Sequence, residues 1–244
     1  MLEVEHLSKS FDGFAAVQDI SLLIEPSQAH AIIGPNGAGK TTFFNLITGH
    51  LQADQGTVRL YGQPLIGLRP HQIVRTGIAR SFQHANVFPR LTALACVETA
   101  VIAQGRRQLR MFGGTRQQRR DAQELLMIVG LGAESGRVAG ELAYGQQKQL
   151  ELAIALAAKP RVLLLDEPTA GMSAEETRRA MGLIKRIQGA WGLSVLFTEH
   201  DMDVVFGIAD RISVFDHGEL IASGRPQEIR DNPEVRRIYL GDGE

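Results

Sequence analysis

The chain has 244 residues, of which 44% are apolar and 22% charged, with a formal net charge of -1. That length is near the upper limit of a single hydrophobic core and leaves room for one core plus a subordinate lobe, while the composition excludes the disordered and fibrous classes. The near-neutral balance argues against a protein that grips nucleic acid through a large excess of positive charge, and no nucleic-acid partner is expected.

The start, Met1-Leu2-Glu3-Val4-Glu5-His6, lacks a basic stretch followed by an apolar one, so no secretory signal is expected. Leu2-Glu3-Val4-Glu5, Ile20-Ser21-Leu22-Leu23-Ile24 and Thr57-Val58-Arg59-Leu60-Tyr61 are short β-compatible stretches bounded by Gly, Pro or Asp, and they predict a half-exposed antiparallel sheet. Ala29-His30-Ala31-Ile32-Ile33, Val162-Leu163-Leu164-Leu165 and Ser194-Val195-Leu196-Phe197 are almost continuously apolar, as strands covered on both faces of a parallel sheet must be. Each runs straight into polar or glycine residues, namely Gly34, Asp166-Glu167 and Thr198-Glu199-His200. Ligands of open α/β sheets bind beyond the carboxyl ends of the strands, so these three ends are expected to converge on one site.

Between Gln83 and Gly145 the strand pattern disappears, and residues 93–104 and 119–129 read as helices of an inserted lobe. The arginine-rich stretch from residue 106 to 120 reads as a solvated helix pair with a loop, and it receives no functional role. The single cysteine, Cys96, cannot close an internal disulfide and fits a reducing compartment. No apolar run approaches the roughly 18 to 20 residues of a membrane helix, so any membrane association must come through a partner.

Gly34-Pro35-Asn36-Gly37-Ala38-Gly39-Lys40-Thr41 fits the Walker A pattern, between a buried strand and a helical stretch over residues 42–47. Its glycines let successive backbone N–H groups turn inward toward phosphates, and the helix start adds partial positive charge. Asn36, Gly37 and Gly39 are therefore expected to line a phosphate cradle. Lys40 is expected to reach the β- and γ-phosphates, and Thr42 to contact the α-phosphate. The Thr41 hydroxyl suits Mg²⁺, which prefers oxygen ligands. The loop alone predicts an NTPase.

Four further motifs, in order, narrow the class: Arg80-Ser81-Phe82-Gln83, Leu142-Ala143-Tyr144-Gly145-Gln146, Val162-Leu163-Leu164-Leu165-Asp166-Glu167-Pro168, and His200. With the phosphate loop they make the sequence resemble, over nearly its whole length, the ATP-binding subunits of ABC transporters. That resemblance implies an α/β fold: a P-loop NTPase (RecA-like) parallel-sheet core with an N-terminal antiparallel β subdomain and an inserted helical subdomain. The divisions expected are residues 1–83 and 146–220 for the ATP-binding core, 84–145 for the helical subdomain ending in the signature, and 221–244 for a C-terminal tail packed on the core.

The resemblance also assigns roles, with ATP and Mg²⁺ as the bound groups. Asp166 would hold Mg²⁺ through its water shell, Glu167 would polarise the attacking water, and Gln83 would sense both metal and water. His200 would hydrogen-bond the γ-phosphate, and Phe11 would stack on adenine. Ala143, Tyr144, Gly145 and Gln146 would meet, in trans, the nucleotide bound by a second subunit. Ala143 and Tyr144 replace the usual serine and glycine there, so a hydroxyl contact is missing and backbone donors remain. Ser173 reads both as a residue of the subunit interface and as a helix N-cap with Glu176 three residues on.

Leu142-Ala143-Tyr144-Gly145-Gln146-Gln147, Ala170-Gly171-Met172, Thr198-Glu199-His200-Asp201-Met202 and the ending from residue 235 to 241 are similar to one branch, the motors of branched-chain amino acid importers. The resemblance implies a pair of motor subunits, identical or paralogous, under two transmembrane permease subunits at the cytoplasmic face of the inner membrane. An extracytoplasmic solute-binding protein would be an indirect partner, and residues 84–90 would seat the permease. Related motors serving urea, amides or lipid, and soluble ABC ATPases acting on nucleic acid, are the alternatives.

Overall fold

The structure, a computed structural model, describes residues 1–81, 87–104 and 115–240. Gln83 and most of the arginine-rich stretch lie outside the described residues.

The N-terminal third builds the antiparallel sheet that the alternating stretches predict. β1 (Leu2–Phe11) and β2 (Phe14–Ile24) form a hairpin. Asp12 and Gly13 join them with φ of +48° and +85°, the paired left-handed conformations whose twist matches that of the strands. β3 (Ala29–Ile33) leaves this sheet for the buried one, and α1 (Lys40–Ile47) follows it. β4 (Gln55–Leu60) returns to pair with β1, and β5 (Gln63–Pro64) finishes the sheet in the order β2-β1-β4-β5.

α2 (Pro70–Thr76), with proline at its first position, leads into β6 (Ile78–Ser81). The helical lobe holds α3 (Ala93–Gln104) and α4 (Arg116–Ile128), and α5 (Tyr144–Leu156) leads from it back to the buried sheet. α4 starts three residues earlier than the sequence predicts, because Thr115 and Gln118 form a capping box that satisfies its first N–H groups. β7 (Val162–Asp166), α6 (Ala174–Trp191), β8 (Ser194–Thr198) and α7 (Met202–Ile208) alternate as in any doubly wound sheet. The chain continues through β9 (Arg211–Asp216), β10 (Glu219–Gly224), α8 (Pro226–Asp231) and α9 (Pro233–Leu240).

The second sheet has the order β10-β9-β3-β8-β7-β6, parallel throughout except for the antiparallel pair β9 and β10. Its strands separate two cores by their period of two. Ile32, Val162, Leu164 and Leu196 point to one face, where Phe43 and Phe44 of α1 fill the space beneath Leu2, Val4, Ile20 and Val58 of the antiparallel sheet. Ala31, Ile33, Leu163, Leu165, Val195 and Phe197 point to the other, toward α5, α6 and the helical lobe. Phe43 and Phe44 are fully buried, each worth about 1.5 to 3 kcal/mol by transfer. α1, with the phosphate loop at its start, is thus clamped between two sheets.

Candidate functional site

Three parallel strands side by side, β3, β8 and β7, end at the site the sequence predicts. After β3, Gly37 and Gly39 adopt φ of +84° and +94°. At Gly39, the residue that caps α1, a side-chain carbon would lie 2.3 Å from the Ala16 carbonyl oxygen, so the loop can press against β2 only with glycine there. Asn36, Gly37 and Thr41 are exposed, Thr42 is half-buried, and no acidic residue occupies the first turn of α1. The open N–H groups of that turn suit an anion.

Lys40 is 8% exposed and folds back on the loop, donating from Nζ to the carbonyls of Gly34 at 2.6 Å and Pro35 at 3.0 Å. Burial holds its ammonium below the ordinary lysine value, while the charges of Glu167 and Asp166 pull the other way.

Asp166 ends β7 with its side chain 7% exposed. Its Oδ2 accepts from Arg80 Nη2 at 2.8 Å, and its Oδ1 accepts from the Thr198 hydroxyl at 2.9 Å. The same hydroxyl accepts from the Glu167 N–H at 3.0 Å. Glu167 sits at φ +48°, a conformation that a residue with a side chain adopts at a cost, and strain of this kind clusters at functional sites. Its Oε1 lies 2.8 Å from His200 Nε2, so the residues expected as base and phosphate ligand are hydrogen-bonded to each other. Phe11 stands 41% exposed at the tip of the β1–β2 hairpin, with Lys9 Nζ 5.6 Å from its ring centre.

The signature residues lie elsewhere. α5 begins at Tyr144, with Ala143 as its N-cap and Gly145 and Gln146 in its first turn. Ala143 and Tyr144 are exposed, and the Tyr144 ring lies against Gly171 in the connection from β7 to α6. Ser173 caps α6 in a full capping box: it accepts from the Glu176 N–H, and Glu176 accepts from the Ser173 N–H and hydroxyl. Those bonds hold the Glu176 carboxyl below its usual range.

Sequence reasoning missed three partners. Arg80 and Thr198 grip Asp166, and the buried Glu199 accepts from both the N–H and the hydroxyl of Thr169. Thr198 stands beside Asp166 because β7 and β8 pair in that register, a long-range fact that no local pattern carries.

The donor set fits a magnesium nucleotide. A glycine cradle, a hydroxyl at Thr41 and one carboxylate at Asp166 supply oxygen and N–H groups, and among the described residues no cluster of three His, Cys, Asp or Glu offers a dedicated metal cage. Mg²⁺ bound beside phosphates needs only one or two protein oxygens.

The family pattern described as ABC transporter matches residues 17–170, and that of the branched-chain amino acid ATP-binding cassette transporter matches residues 219–244. A high-affinity branched-chain amino acid transport ATP-binding protein, BraF of Pseudomonas aeruginosa, is 41% identical over 253 residues, covering 99% of this chain and 98% of its own. The ADP conformation of MJ1267, an ATP-binding cassette of an ABC transporter, superposes with a TM-score of 0.88 at 29% identity, with 99% of each chain covered. A dimeric post-hydrolysis state of the cassette MJ0796 bound to ADP and Pi gives 0.81 at 26% identity, covering 93% of this chain and 99% of that one. The phosphate loop, the paired strand ends and the signature helix are those of one family, and the chain belongs to it: it is an ATP-binding subunit of the ABC transporter family.

Proposed function

We propose that the chain is the ATP-hydrolysing motor of an importer for branched-chain or other hydrophobic amino acids. The contact between Glu167 and His200, beside the pinned Asp166 and beyond the phosphate loop, is the observation that carries the chemistry. Two permease subunits and a second ATP-binding subunit are its partners, with a solute-binding protein outside the membrane. The motor works from the cytoplasmic face, and among the described residues no helix is long and apolar enough to cross a membrane. Phe88, exposed, lies within the stretch 84–90 that would seat the permease, and the exposed Leu91 follows it directly. The core of residues 1–83 and 146–220, the helical subdomain of 84–145 and the tail of 221–244 are the moving parts of this reading.

ATP is the substrate. The N–H groups of Asn36, Gly37, Gly39 and the first turn of α1 hold its phosphates, Lys40 turns from the loop carbonyls to the β- and γ-oxygens, and Phe11 stacks on the base. Thr41, Asp166 and Gln83 would hold Mg²⁺, which when bound neutralises charge developing on the phosphate oxygens. Glu167 draws a proton from the attacking water, and His200 fixes the carboxylate until the γ-phosphate takes its place as the partner. Ala143, Tyr144, Gly145 and Gln146 complete the site of the second subunit through backbone donors at the start of α5.

Glu167→Gln keeps the shape and removes the charge, so hydrolysis is expected to fall about a hundredfold or more with ATP binding retained. Wild-type turnover in that variant would take Glu167 out of its role. Cells carrying the variant should also lose uptake of labelled leucine; intact leucine uptake would move the motor to another cargo.

A further inference from the structure

Arg80 lies in β6, two strand positions along from the start of that edge strand, and its guanidinium reaches in two directions. Nη2 donates to Asp166 Oδ2 at 2.8 Å, and both side chains of this pair are 7% exposed. Nη1 donates to Asn45 Oδ1 at 2.6 Å and stands 3.5 Å from the Thr48 hydroxyl, while the guanidinium carbon lies 5.6 Å from the centre of the Phe44 ring. Asn45, Thr48 and Phe44 all belong to α1 or its cap. One side chain therefore ties the carboxylate at the end of β7 to the helix that carries the phosphate loop.

Buried ion pairs are weak contributors to stability compared with apolar packing, so an arginine set in this interface needs another reason. The helix geometry supplies it. Asn45 follows Thr41 by four residues, one turn along the same face of α1. A planar guanidinium that bonds Asn45 and Asp166 at once fixes the spacing between Thr41 and Asp166, the two described oxygen donors for a divalent cation. The Thr198 hydroxyl fixes the other oxygen of the same carboxylate.

We propose that Arg80 is a positioning residue for the divalent metal: it sets the distance between Thr41 and Asp166 and so determines metal affinity without touching the nucleotide. This rests on the metal role of those two residues in the function proposed above. Outer partners of metal-binding groups characteristically change metal affinity about 10- to 100-fold when removed.

The test measures binding of a fluorescent ATP analogue with chelator present and then during titration with Mg²⁺, with Mn²⁺ paramagnetic resonance as a direct reading of the metal. For Arg80→Gln, affinity for the metal-free analogue is expected within about twofold of wild type, and metal affinity in its presence about 10- to 100-fold weaker. Arg80→Lys, a point charge without the fork, should fall between. Asn45→Ala leaves the pair with Asp166 in place and cuts only the arm to α1, so it should also weaken the metal, by less, and it decides the matter if Arg80→Gln does not fold. Unchanged metal affinity in Asn45→Ala and in whichever Arg80 variant folds would overturn the proposal. So would a parallel loss of metal-free binding and melting temperature, the mark of a merely structural role. Failure of the wild type itself to bind the analogue would instead sink the function proposed above.

Discussion

The strand-end half of the site and the start of α5 are built in opposite ways. At the ends of β3, β7 and β8 the polar groups are bonded to one another, Asp166 to Arg80 and Thr198, Glu199 to Thr169 and Lys40 to its own loop in buried contacts, and the half-buried Glu167 to the exposed His200. At the start of α5 Ala143 and Tyr144 are exposed, with the Tyr144 ring resting against Gly171, and the side chain of Gln146 accepts from the N–H of Ala143 at 3.1 Å. The first arrangement is preorganised, because its groups hold one another in place before any ligand arrives. The second offers helix-start N–H groups to something outside the chain. In the function proposed above, chemistry that needs both is assembled from two chains, and the phosphate loop is half of an active site.

The sharpest way to break this comparison is at Gly145. A side-chain carbon there would lie 3.7 Å from Glu176, an ordinary contact, and alanine is the better helix former by about 0.5 to 1 kcal/mol. Gly145→Ala should therefore melt no lower than wild type. It should nonetheless lose about a hundredfold in ATPase activity, because the added methyl keeps the partner's phosphate from the backbone donors. Wild-type specific activity should rise with protein concentration as the pair forms, and the variant should not follow it. Wild-type activity in the variant would make the start of α5 an ordinary helix end.

How much of this was legible in the sequence follows the same division. β3, β7 and β8 announce themselves because strands covered on both faces are continuously apolar. β9 does not, because Arg211 and Ser213 interrupt it, and β6 is only four residues long with Arg80 inside it. The residues proposed to react were readable because each sits in a local motif at a strand end. Their partners were not: Arg80 and Thr198 meet Asp166 across separations of 86 and 32 residues, through sheet register alone. Helix starts erred where caps lie outside the apolar pattern, as at Thr115.

A second prediction tests the rigid frame beneath the strand ends. His30 is fully buried in β3 with its Nε2 2.8 Å from the Ser213 hydroxyl, and burial, with a smaller push from Arg211, lowers its pKa to about 3. The folded state therefore keeps His30 neutral while the unfolded chain takes up a proton below the ordinary value of 6.5. Stability from this group is complete above that value and drains as the pH falls toward about 3. Between pH 7 and 5 the loss is on the order of 2 kcal/mol. His30→Gln retains a polar partner for Ser213 and cannot titrate, so denaturant unfolding should show a flatter acid slope. An unchanged slope would place the acid sensitivity elsewhere.

The smallest effect is expected at Ser173, in the connection from β7 to α6. Its capping box with Glu176 accounts for the residue by itself, since losing a cap of this kind costs about 1 kcal/mol. A role at the subunit interface would add something that stability does not register. Ser173→Ala should therefore lower the unfolding free energy by about that amount in any case. What separates the two readings is the protein concentration at which ATPase activity reaches half its maximum. An unmoved midpoint makes Ser173 a cap and leaves the start of α5 as the outward-facing half. A midpoint shifted to higher concentration extends that half across the connection from β7 to α6, against which Tyr144 already packs.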